Sequence, residues 1–195
     1  VAKTAKKRRR SRLIIVSGLP ATGKSTLADA IGDALSLPVI TKDTIKELLF
    51  DTIGWSDRAW SMKLGGASME LLWFIAAQHV RVGSSVVLES NFSKSFTDPQ
   101  LAKFRAQWPL KVIEVHCVAD REVILERYRA RAVEGERHPG HMEWNAEQME
   151  TDLLPRIRDA QDQTLDGADT LIEIDTTDYA TLDIPGEIEK IRAAF

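Results

Sequence analysis

A chain of 195 residues, 44% of them hydrophobic and 28% charged, can bury one core and is short for two domains. Its longest apolar run, residues 71–77, falls far short of a bilayer span, and its single cysteine, Cys117, excludes an internal disulfide or a cysteine-built zinc cage and suits a reducing cytoplasm. The net charge of −3 hides a split: seven of the 26 basic residues stand in the first twelve positions, so the other 19 face all 29 acids, and the body lacks the positive excess of a nucleic-acid-binding domain.

Residues 1–12 read as a disordered, solvated basic tail, with contact to nucleic acid as the sharper alternative. The tail lacks the apolar stretch of a signal peptide, and no membrane partner is expected. Residues 13–16 are apolar and β-branched and stop at Ser17-Gly18, the pattern of a short buried strand. Residues 24–35 place Leu27, Ile31 and Leu35 at helical spacing. A second strand is expected at 38–41 and a helix at 43–53, with Ile45, Leu48 and Leu49 on one side. The longest helical pattern covers 57–82 and weakens at Gly65-Gly66, where a kink is expected.

Strands at 85–89, 111–118 and 170–174 complete a set of five, and helices are expected at 98–108, 120–133, 145–161 and 185–194. Pro155 disturbs the third of these helices, and Gly135, Pro139 and Gly140 mark a loop before it. Strands separated by helices predict an α/β fold, a parallel sheet with helices on both faces. Ligands of such sheets bind beyond the carboxyl ends of the strands.

The strongest signal follows the first strand. Gly18, Leu19, Pro20, Ala21, Thr22, Gly23, Lys24 and Ser25, with Thr26 behind them, fit a glycine, four residues, then Gly-Lys-Ser. The glycines permit a tight backbone turn whose N–H groups face a phosphate, and the following helix adds its positive end. Lys24 supplies a point charge to the outer phosphates, and the Ser25 hydroxyl is a hard oxygen ligand suited to Mg²⁺. An apolar strand before the loop and an amphipathic helix after it are the context this motif requires, and they predict nucleotide binding.

A guanine-nucleotide switch would need an Asn/Thr-Lys-x-Asp motif after a later strand, and none is present. A kinase needs an acceptor-side base, a second acid near the metal and arginines that close over the transferring group. Asp43, just beyond the second strand, suits the first role, with a helix N-cap as its ordinary reading. Glu89 ends the third strand and suits the second role, holding Mg²⁺ through water. Asn91 follows on the same rim as a substrate contact. Arg127 and Arg131 lie four apart on one helix face, with Arg137 close behind, and suit the third role. His138-Pro139-Gly140-His141 reads as part of a lid or a substrate contact rather than a zinc site. His79, His116 and Cys117 read as structural, and Trp55 and Trp60 as core packing with a substrate wall as the alternative.

Taken in order, the loop at 18–26, Asp43, Glu89 and the Arg127-x-x-x-Arg131 pair resemble the small P-loop kinases. The nearest branch is that of polynucleotide 5′-kinase, chloramphenicol phosphotransferase and the zeta-toxin-like kinases, an AAA_33-like ATP-binding protein. The resemblance covers about residues 13–177. It implies a three-layer P-loop NTPase fold, with a five-stranded parallel sheet in the order 2-3-1-4-5, and a single kinase domain over 13–195. ATP with Mg²⁺ is the implied donor, and a helical lid is implied at about 127–145. By that similarity Asp43 corresponds to the acceptor-side aspartate and Arg127 and Arg131 to lid arginines. Thr177, in the loop after the fifth strand, would border the adenine. An arginine that follows the aspartate in nucleic-acid kinases is replaced at best by Lys46, which with the acidic body counts against a polynucleotide acceptor. The expected activity is transfer of the γ-phosphate to a hydroxyl of a small molecule. A nucleotide-dependent switch ATPase without an acceptor and a polynucleotide 5′-hydroxyl kinase are the alternatives. The sequence specifies neither the acceptor nor the oligomeric state.

Overall fold

The computed structural model describes residues 10–134, 137–142, 155 and 164–195. Five strands form one parallel sheet: β1 (Ser11–Gly18), β2 (Val39–Thr41), β3 (Val86–Glu89), β4 (Leu110–Val118) and β5 (Thr170–Asp175). Their order is β2-β3-β1-β4-β5, as the resemblance implies for a P-loop NTPase. The helices are α1 (Lys24–Leu35), α2 (Lys42–Ile53), α3 (Arg58–Arg81), α4 (Lys94–Gln107), α5 (Arg121–Glu134) and α6 (Ile184–Ala194), with a 3₁₀ turn at Pro139–His141. Among the described residues no helix is long and apolar enough to cross a membrane.

The central strand shows why its sequence is a continuous apolar run: it is covered on both faces. Alternate side chains point to opposite sides. Leu13 and Ile15 pack with Leu72, Trp73, Leu101 and Phe104 of α3 and α4. Ile14 and Val16 pack with Leu27, Ile31 and Ile191 of α1 and α6.

Three local expectations change. Ser11 and Arg12, expected in the basic tail, pair with Leu110 and Lys111 and extend β1. Polar residues conceal this end of the strand, but the backbone ladder accepts them. α4 begins at Lys94, four residues before the expected start, although it contains Pro99. Burial of Thr97, Leu101 and Phe104 holds its first turns helical despite the missing N–H. α3 runs through Gly65-Gly66 without interruption. Buried Leu64, Ser68 and Leu72 anchor it on both sides of the pair, and that packing outweighs a propensity cost of about 1 kcal/mol per glycine. The tail up to residue 9 and the helix expected at 145–161 lie outside the described residues, apart from Pro155.

The register brings the functional segments to one edge. Val16 pairs with Glu89 across β1 and β3, and Gly18 with Cys117 across β1 and β4. The phosphate loop therefore leaves the sheet between the carboxyl ends of β3 and β4.

Candidate active site

Gly18 leaves β1 at φ 131°, and a β-carbon there would run into the carbonyl oxygen of Cys117. Gly23 sits at φ 75°, where a β-carbon would come within 3.0 Å of the Tyr179 ring. Ala21 is also left-handed, at φ 67°, a conformation costing an alanine about 1–2 kcal/mol that its sequence does not announce. The Lys24 Nζ donates to the Leu19 carbonyl at 2.6 Å, and Thr22 Oγ1 donates to the same oxygen at 2.9 Å. The first intrahelical bond of α1 runs from the Leu27 N–H to the Gly23 carbonyl, and no side chain caps the helix. The N–H groups of Lys24, Ser25 and Thr26 are thus available to an anion. Burial lowers the proton affinity of Lys24 against the opposing pull of Glu89.

Glu89 is buried at the end of β3, and Ser25 Oγ donates to its Oε2 at 3.3 Å. Burial raises its pKa, while Lys24 opposes the rise. Beside it the Cys117 thiol is pushed up to about 12 by burial, which leaves it inert. A hydroxyl and a carboxylate side by side at the loop are a hard-oxygen pair that fits Mg²⁺.

Asp43 is not the N-cap of α2. Thr41 caps the helix, its Oγ1 accepting the Thr44 N–H, and Asp43 is left in the first turn. Its Oδ1 lies 3.3 Å from Lys42 Nζ and its Oδ2 2.8 Å from Arg137 Nη2. Burial alone would raise its pKa, but Lys42 and Arg137 hold the carboxyl well below the usual carboxylate range.

The three arginines do different things. Arg127 Nη2 donates to the carbonyls of Thr176 and Thr177 at 2.8 and 3.1 Å, while its Nη1 is buried with no hydrogen-bond partner among the described residues. Arg131 extends from the same helix, 5.8 Å from the Tyr128 ring. Arg137 holds Asp43. Thr177 does not border the cleft; its Oγ1 accepts the Asp120 N–H at 2.8 Å. Tyr179, two residues on, borders it instead. Thr176 is fully buried, its Oγ1 donating to the Thr22 carbonyl at 2.8 Å, so the β5 loop braces the phosphate loop. Neither role was visible in the sequence beyond a run of Asp and Thr.

The His-Pro-Gly-His segment docks on α2. His138 stacks on Phe50 at 5.0 Å between ring centroids and lies 3.2 Å from Asp51 Oδ1. His141 Nε2 lies 2.8 Å from Glu47 Oε1. Gly140 packs on the Phe50 ring, where a β-carbon would approach to 2.7 Å, and its carbonyl accepts from Ser61 Oγ at 2.7 Å. Trp55 and Trp60 are not core: Trp55 is 48% exposed beside His138, and Trp60 Nε1 donates to the Gly54 carbonyl.

Beneath the loop is a buried polar cluster. Ser17 Oγ donates to Glu114 Oε1 at 2.6 Å and lies 2.9 Å from His116 Nδ1, while Glu114 Oε2 accepts the Leu165 N–H at 2.7 Å. Glu114 is 0% exposed, yet both its oxygens are satisfied.

These elements enclose a cleft of about 1070 Å³. It is lined by the loop residues from Gly18 to Thr26, Thr22 excepted, and by Arg127, Arg131 and Tyr179. Lys42, Asp43, Lys46, Asn91, Arg137 and His141 line it too, and Asp43 is near enough to the loop to act on Lys24. Glu89, Thr22 and Thr177 are not among its lining residues, although Glu89 touches it through Ser25.

Residues 13–152 match the AAA domain family AAA_33. A candidate kinase from Chloroflexus aurantiacus is 32% identical, over 96% of this chain and 100% of its own, with a TM-score of 0.86. Two more distant structures share the fold. Chaetomium thermophilum Kti12 in complex with ADP-AlF3 is 18% identical over 93% of this chain and 98% of its own, with a TM-score of 0.64. Mycobacterium tuberculosis APS kinase CysC in complex with AMPPNP and APS is 16% identical over 95% and 97%, with a TM-score of 0.57. No curated protein matches the chain.

Proposed function

We propose that this chain, which belongs to the AAA domain family AAA_33 of P-loop proteins, is a kinase that moves the γ-phosphoryl group of ATP to a hydroxyl of a small molecule. One observation carries the reading: one cleft is lined by the phosphate loop, by an aspartate whose proton affinity is depressed, and by three arginines. A switch ATPase needs the loop but has no use for Asp43 on the same cleft wall.

The acceptor oxygen attacks the γ-phosphorus. A new O–P bond forms as the bond to the β,γ-bridging oxygen breaks, and ADP leaves with that electron pair. The N–H groups of Lys24, Ser25 and Thr26, with the Lys24 ammonium, hold the β- and γ-phosphates. Ser25 and Glu89 are the donors that would hold Mg²⁺, and bound there it would offset the charge of the outer phosphates. Arg127 Nη1 and Arg131 meet the charge that grows on the equatorial oxygens.

Asp43 orients more than it deprotonates. Lys42 and Arg137 depress its proton affinity, and a loose transition state releases the hydroxyl proton late. Its carboxylate holds the hydroxyl in line and receives the proton as the O–P bond closes. The lid that keeps water from the phosphates is the segment at about 127–145, of which residues 135, 136 and 143–145 lie outside the described residues. The buried free thiol of Cys117 and the use of ATP support a cytoplasmic setting.

The test is a screen of hydroxylated metabolites, antibiotics, nucleotide sugars and 5′-hydroxyl oligonucleotides for ATP-dependent gain of one phosphoryl mass. Gain on a small molecule supports the reading. Gain on oligonucleotides alone, or nucleotide binding with no gain on any acceptor, replaces it with one of the two alternatives.

A further inference from the structure

We infer that the acceptor half of the cleft contains an anion subsite centred on Lys46, so that the acceptor carries a carboxylate, phosphate or sulfate group besides its hydroxyl. The inference rests on the kinase reading and adds the chemical class of the acceptor.

Lys46 follows Asp43 by three residues on α2, so the two side chains lie on one helix face. It is 7% exposed, yet it borders the cleft. Among the described residues its ammonium has one hydrogen bond, to Ser61 Oγ at 2.9 Å. Ser61 gives its own proton to the Gly140 carbonyl, so it serves Lys46 only as an acceptor. Among the described residues the other two N–H bonds of Lys46 have no acceptor, and no carboxylate lies within ion-pair distance of it. The Phe50 ring, 5.1 Å away, offers only a weak cation–π contact. A buried ammonium without a counter-ion is costly, and an arriving anion relieves that cost.

The surroundings point the same way. The strongest charged neighbours of Lys46 are Lys42, Asp43, Arg137 and Arg58, three of them cations. Burial and then Lys42 pull its pKa down to about 8, so it keeps its charge at neutral pH but holds it under strain. Asp43 is the sole carboxylate on the described cleft wall, and Lys42 and Arg137 already share it. The donor phosphates have a separate set of cations: the strongest charged neighbours of Lys24 include Arg131 but not Lys46. Positions i and i+3 on a helix place their β-carbons about 5–6 Å apart. An acceptor whose hydroxyl meets Asp43 therefore carries its anion a few bonds away.

The experiment holds the full chain saturated with AMPPNP and Mg²⁺, so that the phosphate loop is filled. Sulfate and, separately, acetate are titrated by NMR on the lysine ammonium and side-chain signals. Saturable shifts at Lys46 with sulfate indicate a tetrahedral anion, and with acetate a carboxylate. Lys46→Met should weaken the response about tenfold or more, and Lys46→Arg should keep it. AMPPNP binding by each variant, read as thermal stabilisation, confirms that it is folded, and Lys46→Gln replaces Lys46→Met if that chain does not fold. No saturable response in the wild type, an unchanged response in Lys46→Met, or an acceptor from the screen with no anionic group overturns the inference. Failure of the wild type to bind AMPPNP instead removes the kinase reading beneath it.

Discussion

Arg137 reaches back 94 residues to set its Nη2 2.8 Å from Asp43 Oδ2. The acceptor-side carboxylate is therefore held by a cation from the segment expected to act as the lid. An incoming hydroxyl must share Asp43 with that arginine. Asp43→Asn should lower transfer about 10²–10⁴-fold and leave nucleotide-dependent thermal stabilisation intact. In Arg137→Ala the carboxyl loses a partner that depresses its pKa. The acid limb of the rate–pH profile should then move to higher pH. An acid limb unchanged from the parent would show that Asp43 does not take part.

Lys24 is buried and bonded to the Leu19 carbonyl, which it must leave to meet a phosphate. A ligand at 100 times its dissociation constant stabilises a fold by about 2.7 kcal/mol. The parent should show a shift of that order with an ATP analogue, and Lys24→Ala should show none. An equal shift in both would place the nucleotide elsewhere.

Arg127 and Arg131 should separate in kinetics. Arg127 holds two carbonyls of the β5 loop, and that loop braces the phosphate loop through Thr176. Arg127→Ala should raise the KM for ATP as well as lower kcat, and lower stability by about 1–3 kcal/mol. Arg131→Ala should lower kcat with little change in KM, because its charge acts on the transition state. Identical effects of the two would contradict the division.

Glu114 accepts from Ser17 and from the Leu165 N–H with one oxygen each. Glu114→Ala leaves the Leu165 N–H without its acceptor in the core, a loss of about 1–3 kcal/mol. Urea unfolding should show a lower midpoint at unchanged slope. Because Ser17 precedes the phosphate loop, nucleotide affinity should fall with it.

Acid should loosen the His-Pro-Gly-His turn. Burial first, and Arg137 second, lower the His141 pKa from 6.5 to about 4. The unfolded chain takes up this proton near 6.5 and the folded chain only near 4. Stability from this group is therefore complete above pH 6.5 and is lost as pH falls from there to about 4. The urea midpoint of the parent should drop across that window by more than that of His141→Gln. Trp55 fluorescence, reporting its contact with His138, should change together with it. Equal drops would assign the acid sensitivity to other groups.

The phosphate loop was legible because its chemistry is local. Gly18, Gly23, Lys24 and Ser25 act through consecutive backbone geometry, and a strand before and a helix after can be read from short-range periodicity. The sheet order came with that resemblance. Asp43 and Glu89 could be found because each follows an apolar strand, and strand ends meet at one rim of a parallel sheet. What each side chain touches was decided elsewhere. Asp43 looked like a helix cap until Thr41 took the cap. Thr177 looked like a nucleotide contact until its hydroxyl went to Asp120 and Tyr179 took the place on the cleft. Lys46 could be counted as a lysine, but its lack of a counter-ion depends on Ser61 and Gly140, 15 and 94 residues away. The Ser17–Glu114–His116 cluster joins two strands, β1 and β4, about 100 residues apart in the chain. Backbone conformation follows from neighbouring residues, so motifs and elements are written in the chain. Burial, charge pairing and proton affinity follow from neighbours in space, and only the packed tertiary structure determines which residues those are.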